Sequence, residues 1–261
     1  MAWLATAAGI GAAWIFGVPR LEAFASQHNT VEAHEVTIRF VNPPQMPVEL
    51  SNMLLRTASA QINGDPMRRD DLVAVRQALM DTGWFDGIDQ VRRVSNDVVE
   101  INARFVRPFA LIRDHEGDHL VDASGKLLPM TFERGAHTRF VAISGVYFNR
   151  PQRPGMQWEG TDVAAGIRLL QLINQQVWRQ QVAEINVAGY LHDAPIKLRT
   201  DQECQIVWGG APGEEPALEE LAAGKIQRLN YLNQQYSRID AGQHGEIDIT
   251  DQRLVMAREK P

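Results

Sequence analysis

Apolar and polar side chains alternate from Val98 to Phe105. One face carries Val99, Ile101, Ala103 and Phe105, and the other carries Glu100, Asn102 and Arg104. This period of two predicts a β-strand with one buried face. Pro108 has no N–H to donate to a sheet, so the strand is expected to end there or to lie at an edge. Residues 114–118 are charged and predict a surface turn, and a hairpin follows with strands at 120–121 and 126–130 around the turn at 122–125.

Upstream of this strand, the pattern predicts one strand and two helices. Residues 36–41 alternate and end at Asn42-Pro-Pro44. Apolar residues three or four positions apart predict helices over residues 47–62 and 71–82, the second capped by Asp70 or Asp71. Two more strands are expected at 90–95 and 97–106, joined by a tight turn at Asn96-Asp97. The predicted order is βααββ, which defines a first domain over residues 36–112 and leaves residues 113–261 for a second.

The second domain is predicted to be a mixed or antiparallel β-sheet with two helices. Strands are expected at 140–145, 185–188, 196–200, 204–209 and 246–249, with 252–256 as a further candidate. The helices are expected at 161–181 and 218–234, because apolar residues recur there at helical spacing. Their inner faces are predicted to carry Leu169, Leu170, Ile173, Val177 and Trp178, and Leu221, Ile226, Leu229 and Leu232. Residues 147–161 show no periodicity and predict a loop. The fold class is therefore α+β.

The first 20 residues predict a transmembrane anchor. Residues 2–18 carry no charge, and as a helix they would span about 26 Å at about 1.5 Å per residue, slightly less than a hydrocarbon core of about 30 Å. A cleaved signal peptide is the alternative, because Ala23-Phe-Ala25 has the small-x-small pattern of a cleavage site, although no Lys or Arg precedes the apolar run. A buried core helix is less favoured, since the segment has no polar face. Residues 21–35 are interpreted as a juxtamembrane linker.

Composition and charge narrow the functional classes. The chain of 261 residues has a net charge of −6, which argues against a nucleic-acid-binding surface. Cys204 is the only cysteine, so no intrachain disulfide can form. It lies in the apolar run 204–208 and is therefore expected to be a buried strand residue rather than a nucleophile.

The sequence contains no recognisable catalytic set. His115 and His119 are the only clustered histidines, and with Asp118 they have donor types that suit zinc or copper. A solvated loop is the favoured interpretation of this short charged segment. Nucleophile-elbow, phosphate-binding and zinc-protease motifs are missing from the sequence. We therefore expect a protein that is not an enzyme and that has no cofactor, metal or small-molecule substrate.

The residues around the central strand and the following hairpin form a pattern that is found in a known family. The positions of this pattern are Ile101, Ala103, Arg107, Pro108, Ala110, Leu120, Val121, Asp122, Gly125, Leu128 and Pro129. At these positions the sequence resembles the junction between the POTRA domain and the β domain of the bacterial cell-division proteins of the FtsQ/DivIB family. The predicted βααββ order is also that of a POTRA domain, and the resemblance covers about residues 36–256. Two features differ from the family pattern: no basic tail precedes the apolar N-terminus, and Asn42-Pro-Pro44 stands where the family often has a glycine.

The resemblance implies a non-enzymatic, single-pass scaffold of the divisome in the inner membrane, with residues 36–261 outside the cytoplasm. Such a scaffold recruits and regulates septal peptidoglycan synthesis through membrane partners of the FtsB and FtsL type. It also implies that a partner adds a β-strand to the last strands of the chain. The predicted contacts are Tyr231, Ile249, Thr250, Asp251, Gln252, Arg253, Leu254, Val255 and Met256. The alternatives are a POTRA-containing protein of envelope transport or assembly and, less favoured, an exported cell-wall enzyme.

Overall fold

A computed structural model describes residues 36–63, 68–136 and 139–251, and the backbone of residues 255–256. The predicted anchor over residues 1–20 and linker over residues 21–35 lie outside these described residues. Within the described ranges, no helix is both long and apolar enough to cross a membrane.

The N-terminal unit is a three-stranded sheet covered by two helices. Its elements are β1 (Thr37–Phe40), α1 (Val48–Ser59), α2 (Arg69–Met80), β2 (Phe85–Ser95) and β3 (Val98–Phe105). The strand order is β1-β3-β2, in which β3 runs parallel to β1 and antiparallel to β2. The predicted order of strand, two helices and two strands is therefore confirmed.

The alternation in β3 places its apolar face against the helices. Val99 and Ile101 are fully buried, and they share one core with Leu54 of α1 and with Val75 and Leu79 of α2. Three phenylalanines, Phe40, Phe85 and Phe105, close one end of this core with ring centroids 4.7–5.9 Å apart. Helix α2 has no side-chain cap, since Arg68 occupies the N-cap position, so the prediction that Asp70 or Asp71 caps this helix is wrong. Asp71 is instead buried and accepts the Asn63 N–H at 2.9 Å.

The C-terminal unit is a nine-stranded mixed sheet. Its strands are β4 (Pro108–Arg113), β5 (Asp118–Asp122), β6 (Leu127–Phe132), β7 (Ala142–Ser144), β8 (Val182–Asn186), β9 (Ile196–Thr200), β10 (Gln205–Gly209), β11 (Glu246–Asp248) and β12 (Val255–Met256), in the order β12-β11-β10-β9-β8-β7-β4-β5-β6. The central strands β8, β7 and β4 are parallel, and most of the flanking pairs are antiparallel. The mixed sheet and the predicted hairpin at residues 120–130 are confirmed.

Two α-helices accompany this sheet, as predicted, but their bounds differ. Helix α3 (Thr161–Ile173) ends eight residues before the predicted position 181, and a short 3-10 turn at Arg179–Gln181 leads into β8. Val177 is 87% exposed, so its predicted place on an inner helical face is wrong. Trp178 is buried as predicted, but it lies outside α3, at the residue before the 3-10 turn. Helix α4 (Ala222–Tyr236) starts four residues later than predicted, which leaves Leu221 exposed. Ile226, Leu229 and Leu232 are buried as expected.

The change from one sheet to the other falls at Arg107. β3 ends at Phe105, and β4 begins at Pro108 as an inner strand that pairs with β5 and β7. The predicted division between residues 112 and 113 falls within β4, which starts at Pro108, the position at which the sequence predicts a strand end or an edge. Within β4, Ala110 and Ile112 face the core under α3, whereas Leu111 faces the N-terminal unit.

Candidate functional site

The candidate docking site is the end of the nine-stranded sheet that β12 forms. β12 pairs antiparallel with β11 in the register Ile247 with Met256 and Asp248 with Val255, and among the described residues it is the terminal strand in the sheet order. A terminal strand leaves one row of backbone N–H and C=O groups without a partner within its own sheet. β6 is the other end of this sheet, but its start is already paired, because the Leu127 N–H donates to Met156 and its carbonyl accepts from Gly155.

The hydrogen bonds around β11 indicate which backbone groups of β12 face outward. Gly245 and Ile249 bond to β10, through Gln205 N–H to Gly245 O at 3.0 Å and Ile249 N–H to Val207 O at 3.2 Å. Because backbone groups alternate sides along a strand, those of Asp248 face β12 and meet Val255. The N–H and C=O of Met256, one residue further along, therefore point away from β11.

The segment that leads into β12 is held firmly by α4 and the turn before it. Arg228 of α4 donates to the Ile249 carbonyl at 2.9 Å and to the Asp251 carbonyl. Its Nη2 also donates to Glu220 at 2.9 Å, and the Glu220 N–H donates to the Thr250 carbonyl at 2.8 Å. This clamp fixes the backbone of residues 249–251 against the helix before the edge strand starts.

A buried ion pair anchors the start of α4 beside the clamp. Lys225 is fully buried, pairs with the carboxylate of Glu219, and has its Nζ 5.0 Å from the ring centroid of Trp208. Glu219 also accepts the Gly210 N–H at 2.8 Å. The sequence does not single out Lys225, because the carboxylate that neutralises it lies in the irregular segment before α4.

The predicted docking residues differ in how far they are exposed to solvent. Tyr231 is 60% exposed on α4, Thr250 is half-buried and Asp251 is exposed. The Ile249 side chain is fully buried, and its backbone N–H and C=O are both used within the protein. Ile249 therefore supports the edge from the core and offers no docking surface, which corrects its inclusion. Gln252, Arg253 and Leu254 lie outside the described residues, and only the backbone of Val255 and Met256 is described.

A second polar cluster lies where β4 turns into β5, and it differs from the solvated loop that the sequence suggested. Asp118 and His119 are both fully buried in β5. The charged pattern predicts an exposed loop, but Asp118 and His119 are the first two residues of the inner strand β5. Asp118 is not free to bind an ion, since Arg113 donates to both of its carboxylate oxygens at 2.7 and 2.8 Å.

Arg113 is the centre of an ion-pair network that spans five adjacent strands, from β5 to β9. It bonds to Glu184 of β8 at 2.6 Å, and Arg199 of β9 reaches the same carboxylate at 2.7 Å. Burial alone would raise the pKa of Asp118, but hydrogen bonds from Arg113 and the Gly135 N–H hold this pKa below its usual range. Burial likewise opposes the ionised form of Glu184, and its Ser144 and Arg199 partners bring its pKa below the usual value. No local pattern in the sequence reveals this network, because its members are far apart in the chain.

An open pocket of about 330 Å³ lies beside this network. It is formed at the C-terminal ends of the parallel strands β4 and β7, with Arg113, Asp114 and His115 on one side and residues 144–149 on the other. The C-terminal ends of parallel strands are a common place for ligands in open sheets. Tyr147 and Phe148 stand at the pocket in an edge-to-face pair with centroids 5.3 Å apart.

No protein-family model matches this chain, and no curated protein matches it.

Proposed function

We propose that this chain is a non-enzymatic membrane scaffold of the FtsQ/DivIB type, which binds partner proteins of the bacterial divisome outside the cytoplasm. Two features support the proposal: the βααββ unit joined at Arg107 to a larger mixed sheet, and the resemblance in the sequence around this junction. The observation that carries it is the terminal position of β12, whose Met256 backbone faces away from the sheet.

Strand addition at β12 is the proposed mode of binding. A partner segment in extended conformation would take hydrogen bonds from the outer backbone groups of β12, and these would supply most of the affinity. The clamp formed by Arg228 and Glu220 holds the approach to this strand in place. A pre-ordered edge lowers the entropy lost on binding, so the clamp favours a stable complex.

The test distinguishes the contribution of the Met256 backbone N–H to partner binding from that of its side chain. Met256→Pro removes the outward N–H, and Met256→Val retains it. Co-purification with FtsB/FtsL-type membrane partners from the same organism should be lost for the proline variant and kept for the valine variant. Equal capture by both variants, with unchanged thermal unfolding, would show that β12 is not the docking strand.

Tyr231 is proposed to contact the partner beside the added strand. It lies one turn after Arg228 on α4 and is 60% exposed. Tyr236, on the last turn of the same helix, is 58% exposed and provides a matched control. Tyr231→Ala should weaken partner capture, and Tyr236→Ala should not. Equal effects of the two substitutions would show that Tyr231 is not a specific contact of the partner.

The proposed location requires that the N-terminal segment be a retained anchor. A reporter that works only in the cytoplasm, fused after Pro261, should give no signal, and the protein should fractionate with the inner membrane. A strong reporter signal would contradict an extracytoplasmic scaffold. Release of a soluble protein that starts near Ser26 would instead identify residues 1–25 as a cleaved signal peptide.

A further inference from the structure

The turn between β4 and β5 brings together donor groups of the kind that bind zinc. One ligand atom from each of Asp114, Glu116 and His119 lies within 4.8 Å of the other two. Donor atoms around one tetrahedral zinc lie about 3.3 Å apart, as follows from zinc–ligand distances of about 2.0–2.1 Å. The Asp114 Oδ1 and His119 Nε2 atoms are 2.9 Å apart because a hydrogen bond joins them, and Asp114 Oδ1 also accepts the N–H groups of Glu116 and Gly117. A bound ion would replace the direct contact between Asp114 and His119.

His119 is oriented as a metal ligand would be. Its side chain is fully buried, its Nδ1 shares a hydrogen bond of 3.0 Å with Thr131 Oγ1, and its ring packs against Trp158 at 5.8 Å between centroids. A metal-binding histidine typically donates its second ring N–H to a polar neighbour, which fixes the ring and its tautomer. With Nε2 bound to zinc, Nδ1 would carry the proton and donate it to Thr131.

His115 lies outside this group of three, on the solvent side, and can supply a fourth donor only after its side chain rotates. Its side chain is 81% exposed, and its Nε2 lies 3.8 Å from Glu116 Oε1, so it can turn toward the cluster. Asp114 and His115 also line the open pocket described above, which gives an ion a path from solvent. Two histidines and two carboxylates match the nitrogen and oxygen donors of zinc sites.

The positively charged side chain of Arg150 contacts this cluster. Arg150, from the loop after β7, forms an ion pair with Glu116, with its Nη2 2.7 Å from Oε2, and its Nη1 lies 3.4 Å from His119 Nδ1. Zinc would take over the neutralisation of Glu116, and Arg150 would leave both contacts. Arg150 is therefore a competitor for the ion, and this makes its removal informative.

We propose that Asp114, Glu116 and His119, completed by His115, form a zinc-binding site at the β4–β5 turn. The site is independent of the docking edge and uses a different set from the His115, Asp118 and His119 combination that the sequence suggested, because Asp118 is occupied by Arg113.

Zinc titration of the full-length chain by calorimetry tests the proposal, with zinc itself as the probe. The wild type should bind one ion. Glu116→Gln, at a side chain that is half exposed, should weaken binding about tenfold or more, and Thr131→Val should weaken it about 10- to 100-fold through loss of the ring's second hydrogen bond. His244→Ala, at an exposed histidine that bonds the Gln202 carbonyl, is the matched control and should leave the affinity unchanged.

Arg150→Met decides between a metal site and a purely internal ion-pair cluster. Removal of the competing charge should tighten zinc binding about tenfold, because a nearby positive charge repels the dication. The proposal is overturned if zinc does not bind, if Glu116→Gln binds zinc as tightly as the wild type, or if Arg150→Met fails to raise the affinity.

Discussion

Removal of Lys225 should destabilise the C-terminal unit strongly, because its ion pair with Glu219 is buried beside Trp208. Lys225 has no exposed surface, and the Glu219 side chain is 11% exposed. Lys225→Met leaves the Glu219 carboxylate with the Gly210 N–H as its remaining partner in the described structure. Breaking a buried pair from one side costs about 3–5 kcal/mol, a large part of a total stability of about 5–15 kcal/mol.

The double variant Lys225→Met/Glu219→Gln gives the sharper measurement. It removes both charges, and the glutamine side chain can still accept the Gly210 N–H. Its free energy of unfolding should therefore lie closer to that of the wild type than either single variant does, and the coupling between the two sites should be several kcal/mol. Urea denaturation followed by circular dichroism measures all four proteins.

Lys197→Met is the matched control for the single substitution. Lys197 pairs with Glu246 at 2.8 Å, but the two side chains are 38% and 45% exposed. Its loss should cost about 0–1 kcal/mol, as is usual for exposed pairs. The reasoning would be refuted if Lys225→Met cost no more than this control, or if the double variant lost the sum of the two single effects.

Three further outcomes are expected. Burial raises the pKa of the Cys204 thiol to about 11. The stability that the neutral thiol contributes should therefore be complete below the pKa of the unfolded chain and should be lost as the pH rises toward 11. The alkaline loss of stability should be smaller in Cys204→Ala, and an unchanged pH profile of unfolding would contradict the assignment. Arg113→Met should cost about 3 kcal/mol near pH 7 by leaving Asp118 buried without its cation, and the difference should shrink as the pH falls through the lowered pKa of Asp118, which acid titration of both proteins measures. Phe105→Ala should cost about 3 kcal/mol in urea denaturation through its contacts with Phe40 and Phe85, whereas a loss below about 1 kcal/mol would mean that this face of β3 is not packed.

Local patterns predicted the elements whose neighbours along the chain determine them. The alternation in β3, the turn at Asn96-Asp97 and the hairpin of β5 and β6 involve pairings between adjacent segments, and all three are present. The burial of Cys204 was predicted for the same reason, since it lies within a continuous apolar run.

The features that the sequence missed depend on contacts between distant segments. β4 belongs to the second sheet because it pairs with both β5 and β7, and the pairing with β7, which lies about 30 residues later, is not visible in the local pattern. The burial of His119 likewise depends on Trp158 and Thr131, which the local charged pattern around His119 does not reveal. The sequence predicts α3 to continue to residue 181, because Val177 keeps the apolar spacing of the helix, but the helix ends at Ile173 and the chain turns toward β8.

Hydrogen exchange at β12 is the most direct test of the proposed docking mode. The amide of Met256 faces away from β11 and should exchange rapidly in the isolated full-length protein. In the complex with an FtsB/FtsL-type partner, strand addition should slow this exchange strongly, while amides of β6 at the opposite end of the sheet remain unchanged. A stable complex in which the Met256 amide exchanges as fast as in the free protein would contradict docking by strand addition at this edge.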